Sequence, residues 1–153
     1  MKIRLAEKKD CKDIWEWRNH PEVRRWCLDE NKIPLQDHKK WFFNKINDAK
    51  TEIYIAENEN GDKLGQVRFD IRQNRAKINV NLNPVFFDNG LGNRIIAKAS
   101  KYFLLKHNKI NRIRAKILTG NIASIKAFSK AGYKYISEEN EGNNRIKIYE
   151  RSS

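Results

Sequence analysis

Apolar residues recur at every second position in Ala76-Lys77-Ile78-Asn79-Val80-Asn81-Leu82, the period of a strand with one buried face. The same reading predicts strands at Lys2–Leu5, Thr51–Glu57, Lys63–Arg72 and Arg112–Leu118, and shorter ones at 134–137 and 145–150. Elsewhere the apolar spacing is helical. Asp10 is placed to cap a helix running to about Asn19, with Cys11, Ile14, Trp15 and Trp17 as its apolar contacts. Pro21 suits the first turn of a helix carrying Val23, Trp26 and Cys27. After the break at Ile33-Pro34-Leu35, residues 36–46 set Trp41, Phe42 and Ile46 inward, and Ile95, Ile96, Ala99, Phe103 and Leu104 line a further helix. Turn chemistry falls at 58–62, at Gln73-Asn74 and at 138–144. The predicted order is β-α-α-β-β-β-α-β-α-β-β, with no internal repeat and no linker.

Between the strand at 76–82 and the helix after it lies Asn83-Pro84-Val85-Phe86-Phe87-Asp88-Asn89-Gly90-Leu91-Gly92-Asn93-Arg94. A strand, a glycine-bearing loop and a helix N-terminus form a phosphate cradle, because backbone N–H groups and the positive end of the helix dipole converge there. The loop is not a dinucleotide fingerprint, since Ala97 stands where a third glycine would fall, and it lacks the Gly-Lys-Ser/Thr of a P-loop. Thirty residues on, Asn121 is placed to cap a second helix, Ile125 and Phe128 give it an apolar stripe, and Gly132 stops it.

These two segments together resemble the acetyl-CoA-binding half of the GCN5-related N-acetyltransferases (GNAT). The family pattern Asn-x-x-Ala/Ser-x-x-x-Tyr/Phe-x-Lys-x-Gly-Phe/Tyr is met at Asn121, Ser124, Phe128, Lys130, Gly132 and Tyr133. The pattern Arg/Gln-x-x-Gly-x-Gly/Ala is met at Gly90 and Gly92, with Phe87 where Arg or Gln is expected. The resemblance implies an α/β (α+β) fold: a central mixed, mostly antiparallel sheet of about seven strands flanked by four helices. It implies acetyl-CoA as cofactor and direct transfer of the acetyl group to a primary amine. By position it assigns Val80, Asn81 and Leu82 to the thioester. Phe87, Asp88, Asn89, Gly90, Leu91, Gly92, Asn93 and Arg94 fall to the pyrophosphate, and Asn121, Ser124, Ala127, Phe128 and Lys130 to the pantetheine side.

Composition agrees with one domain over residues 1–153, a length that buries roughly 68–70% of the unfolded surface. No apolar run reaches the roughly 20 residues of a membrane span, and no leader pattern precedes the charged start. Cys11 and Cys27 lack metal-ligand spacing, so reduced thiols in a cytoplasmic protein, and no metal site, are expected. The net charge of +13 is spread along the chain without a nucleic-acid-binding motif. It suits polyanionic small ligands, and no nucleic-acid or membrane partner is expected. Oligomeric state, a homodimer included, stays open.

The N-terminal third decides the acceptor. Trp17, Arg18, Asn19, Arg24, His38 and Trp41, with the strand Gly65-Gln66-Val67-Arg68-Phe69-Asp70-Ile71, resemble the branch that acetylates nucleotide-activated amino sugars, as in the pseudaminic acid pathway. Aromatic faces stack on a pyranose or a uracil, and Arg forks suit a diphosphate. The chemistry needs a base for the amine, and the strand at 76–82 carries no carboxylate. His38, titrating near neutrality, is the expected base, Asp70 the second choice, and Asn81 a group that holds a water in line. His20 and His107 are expected at the surface. Phe128 cannot protonate the departing thiolate, which leaves Tyr133, another hydroxyl or water. Two other classes stay open: a protein, ribosomal N-terminal or polyamine acetyltransferase, and a non-catalytic acyl-CoA-binding module.

Overall fold

Seven strands form one sheet in the order β1-β2-β3-β4-β5-β7-β6, in a computed structural model that describes residues 1–153. They are β1 Lys2–Leu5, β2 Thr51–Glu57, β3 Lys63–Arg72, β4 Arg75–Leu82, β5 Arg112–Leu118, β6 Lys134–Glu141 and β7 Asn144–Ser152. Every pair is antiparallel except β4 with β5, which is parallel. Five α-helices flank the sheet: α1 Cys11–Asn19, α2 Pro21–Arg24, α3 Leu35–Ile46, α4 Gly92–Lys106 and α5 Ile122–Lys130. The resemblance implies four helices; the fifth is the single turn α2, which Pro21 predicts but which stops before Trp26 and Cys27.

The alternation of each strand sorts side chains between two cores. Tyr54, Val67, Phe69, Ile78, Ile113 and Ala115 face α4 and α5, within a cluster of 19 buried residues that includes Ile95, Ile96, Phe103 and Phe128. On the opposite face Ile53 and Ile55 meet Cys11, Ile14, Trp17 and Phe42 in a cluster of only six. Trp17, expected to meet the acceptor, is 6% exposed and belongs to this smaller core. The sheet supplies its packing partners, Ile53 and Ile55, from more than thirty residues away in sequence, which is why a position at a helix end gave no sign of burial.

Asp10 does not cap α1 through its side chain. Its fully buried carboxylate takes both terminal nitrogens of Arg4 at 2.8 and 2.9 Å, Lys63 Nζ at 2.7 Å and the Glu7 N–H at 2.7 Å. It thereby ties α1 to β1 and β3. Burial works to raise its pKa, but Arg4, Lys63 and the Glu7 N–H overcome that and hold it well below the usual carboxylate range.

The turn expected at 138–144 shrinks to Gly142 and Asn143, since β6 continues to Glu141. As the edge strand β6 carries polar residues on both faces, and Glu138 and Glu141 pair with Arg145 at 3.0 Å and Lys116 at 2.5 Å. Its polarity marks an edge, not a loop. His107 is likewise half-buried, its Nε2 2.7 Å from Glu52 Oε2, whereas His20 is exposed and caps α2 by accepting the Glu22 N–H.

Candidate active site

Strands β4 and β5 pair only where Arg75–Lys77 meets Arg112–Arg114, and from Ile78 onward they diverge. Asn83 N–H donates to the Leu64 carbonyl at 2.9 Å, so the odd-numbered residues of β4 direct their backbone groups to β3. By alternation the N–H groups of Val80 and Leu82 point the other way, into the gap. Gly65 lets β3 and β4 close on each other beside that gap: a Cβ there would lie 2.9 Å from the Asn81 carbonyl oxygen.

The gap opens into a groove of about 960 Å³ that runs across the sheet. One end is built from local sequence. Phe87, Asp88, Asn89, Gly90, Leu91, Gly92 and Asn93 line it ahead of α4, with Asp88 at φ +66° and Gly90 at φ +67° bending the loop back onto the helix. The start of α4 presses on its neighbours, so that a Cβ on Gly92 would lie 3.5 Å from Ala127 Cβ. Asn121 caps α5 by accepting the Ser124 N–H at 3.2 Å, and Asn121, Ser124, Ala127, Phe128 and Lys130 complete this wall. Exposed N–H groups ahead of a 15-residue helix, beside an apolar channel along Ala127 and Phe128, fit a pyrophosphate followed by a pantetheine arm. Among the positions assigned to the cofactor, Arg94 alone lies outside the groove, on the outer flank of α4.

The other end is tertiary. Arg18, His38 and Trp41 reach the groove; Trp17, Asn19 and Arg24 do not. Asn19 grips Ile33 instead, accepting its N–H and donating to its carbonyl, both at 2.8 Å. Trp15 Nε1 donates to that carbonyl at 2.7 Å. Arg24 donates to the carbonyls of Asn19 and Glu30 at 2.8 and 3.3 Å. These side chains hold the 25–34 loop against α1, and it is the loop that contributes Trp26, Cys27, Leu28 and Asp29 to the groove wall. Arg18 does both. Its Nη2 donates to the Asp29 carbonyl at 2.8 Å, while its buried Nη1 has no partner.

His38 is 3% exposed, packed on Trp41 and Phe42, with Nε2 2.9 Å from the Cys11 carbonyl. A carbonyl only accepts, so Nε2 carries the proton and Nδ1 is the basic nitrogen. Burial lowers the ring's pKa against the opposing pull of the Cys11 carbonyl, which keeps it neutral at physiological pH. Asp70 lies off the groove, engaged by Arg68 Nε at 3.0 Å and Thr51 Oγ1 at 3.3 Å. Asn81, 8% exposed, lines the groove beside Asn79, whose Oδ1 accepts from Gln66 at 3.1 Å. Tyr133 is unsuited to protonate a thiolate there. It is 2% exposed, it bonds Ser100 Oγ at 2.7 Å behind Phe128, and burial raises its pKa beyond the ordinary phenol value.

Arg68, named in the sequence only as part of the 65–71 strand, and Lys77 and Lys116, which the sequence did not single out, line the groove floor opposite α1 and α3. Their common face follows from strand alternation, but their convergence depends on the parallel register of β4 with β5, which one strand alone does not reveal.

A family model described as an acetyltransferase (GNAT) domain matches residues 1–134. The uncharacterised protein MJ1062 of Methanocaldococcus jannaschii is 24% identical over 135 residues, 86% of this chain but only 28% of that protein's length. Among solved structures, spermidine N-acetyltransferase from Vibrio cholerae with CoA and spermine superposes with TM-score 0.87 at 14% identity, covering 99% of this chain and 94% of that one. The aminoglycoside acetyltransferase AAC(6')-Ib with coenzyme A and kanamycin gives 0.83 at 16% identity, covering 99% and 94%. At these identities the superpositions establish the fold.

Proposed function

We propose that this chain, which belongs to the GNAT acetyltransferase family, transfers an acetyl group directly to the amine of a nucleotide-linked amino sugar. The activity class, N-acetyltransferase with acetyl-CoA as donor, follows from the family; the acceptor is our own reading. One observation carries the reaction: the splay of β4 from β5 leaves backbone N–H groups of Val80 and Leu82 without strand partners, in the groove that the capped loops of α4 and α5 also line. When bound, acetyl-CoA supplies the thioester there. Val80 and Leu82 donate to its carbonyl oxygen, whose negative charge grows as the amine attacks. Helix α4 presents its N-terminal N–H groups to the phosphates, and Phe128 shields the arm from water.

His38 is the proposed base, accepting the ammonium proton at Nδ1, directly or through a water held by Asn81. Phe128 offers no proton to the departing thiolate, so a water is the acid. Trp41 and Trp26 line the groove, each with an arginine over its ring (Arg68 at 5.0 Å and Arg25 at 4.9 Å), and offer their remaining aromatic surface to a sugar or a nucleobase. The free thiols Cys11 and Cys27 accord with a reducing cytoplasm, and residues 1–153 act as one domain.

The test is initial-rate thiol release from acetyl-CoA with a panel of UDP- and dTDP-linked amino sugars, a peptide N-terminus and spermidine. Turnover on one nucleotide sugar, reduced at least about 100-fold in His38→Gln, is expected from loss of a general base. Preference for the peptide or for spermidine refutes the acceptor, and coenzyme binding with no turnover on any amine refutes the reaction.

A further inference from the structure

The acceptor end of the groove carries more positive charge than the chemistry described so far requires. Arg18 brings a guanidinium with Nη1 buried and unpartnered, and buried polar atoms in folded proteins are almost always satisfied. Across the groove lies the sheet floor. Lys77 stands at the last paired residue of β4, opposite Arg114 of β5, at the point where the two strands begin to part. Its ammonium has no ion pair within 4.0 Å, while Asp70 is taken up by Arg68 and Glu141 by Lys116.

Lys77 is displaced below the ordinary lysine range, first by loss of water in the groove and then by the like charges of Lys116 and Arg68, against Glu141 and Asp70. The Lys77 side chain is exposed overall. The wall opposite holds the carboxylates of Glu22, Asp29 and Asp37, all on exposed residues; Glu22 is spent on Arg25 at 3.4 Å, and none pairs with Arg18 or Lys77.

Resting on the acetyl-transfer reading of this groove, we infer that Arg18 and Lys77 form an anion subsite: the acceptor amine carries a phosphate or carboxylate, and polycationic amines are rejected. Arg18 Nη1 gains the partner it lacks, and Lys77 gains the counter-ion missing from the floor. Two structural relatives were crystallised with the amines spermine and kanamycin; an anion subsite calls for an acceptor of different charge here.

Two measurements test the subsite. The first compares kcat/KM for matched amines: free glucosamine, glucosamine 6-phosphate, a UDP-linked amino sugar, glutamate and spermidine. The anionic acceptors are expected to exceed glucosamine by at least about tenfold, a difference of 1.4 kcal/mol in transition-state binding. In Lys77→Met and Arg18→Met that ratio should collapse toward one, with affinity for coenzyme A reporting an intact fold. Phosphate and carboxylate acceptors separate in the same panel. Glucosamine or spermidine turning over as well as the anionic acceptors overturns the subsite while leaving acetyl transfer standing.

The second needs no turnover. With coenzyme A saturating the cradle, inorganic diphosphate is titrated calorimetrically, and binding weakened at least about tenfold in Lys77→Met is expected. Absence of that binding, or binding indifferent to both substitutions, overturns the subsite even where no acceptor is turned over.

Discussion

The two ends of the groove are built by different means. The cofactor end consists of contiguous segments, residues 87–93 and 121–130, held on an apolar cluster of 19 residues. The groups we propose for the cofactor there are largely backbone N–H donors, placed by helix starts and positive-φ residues. The acceptor end draws on α1, α2, the 25–34 loop, α3 and the floor of β3 to β5, above a cluster of only six. Polar pins do there what burial does at the other end: Asp10 ties α1 to the sheet, Asn19 and Trp15 grip Ile33, and His38 holds the start of α1 through the Cys11 carbonyl. In the proposed reading, backbone geometry recognises the acetyl-CoA donor. The acceptor end is free to change while that geometry stays fixed.

If that division holds, the two ends respond differently to comparable damage. Phe103→Ala and Asp10→Ala should each lose about 3–5 kcal/mol of stability, one through a cavity and one through stranded charge. Denaturant unfolding across pH separates them. Because the Asp10 pKa is depressed on folding, its contribution is present above the unfolded value of about 3.9 and is lost as pH falls below it. The Asp10→Ala deficit should therefore shrink with acidification, and the Phe103→Ala deficit should persist. Parallel pH curves for the two would undo the contrast.

Asn19→Ala should cost about 1–3 kcal/mol by leaving the Ile33 backbone groups unmatched. It should also raise the acceptor KM with coenzyme A affinity unchanged, in steady-state and calorimetric measurements. Asn121→Ala should do the reverse at about 1 kcal/mol, weakening coenzyme A through a frayed α5 and sparing acceptor KM. An effect of either variant on both ligands would join the two ends into one unit.

The smallest expected effect belongs to His38. Its pKa is lowered on folding, so the unfolded chain binds the proton more readily below about pH 6.5, and stability falls as pH drops through that value. His38→Gln should flatten this part of the stability curve, measured by thermal unfolding between pH 5 and 8.

Legibility followed the same division. Alternation and helical spacing were enough to place β1, β2, β3 and β5 at their observed bounds, and the first turn of α2 and the cap of α5 were readable from Pro21 and Asn121, because these features depend on neighbours a few residues away. The edge position of β6 was not readable, since a strand with solvent on both faces has the composition of a turn. Arg18, Asn19 and Arg24 looked alike as polar residues near a helix end. Only the course of the 25–34 loop separated the one that faces the groove from the two that hold the loop.

By itself, then, the sequence determined the order of the strands, the starts of α4 and α5 and the family, all of which rest on short-range periodicity and backbone conformation. The tertiary structure decided that Trp17 is core and that Tyr133 turns away from the groove. It also decided that Arg18, Lys77 and Lys116 converge, because those relations arise from the parallel register of β4 with β5 and the packing of α1 on the sheet, which bring together residues up to a hundred positions apart.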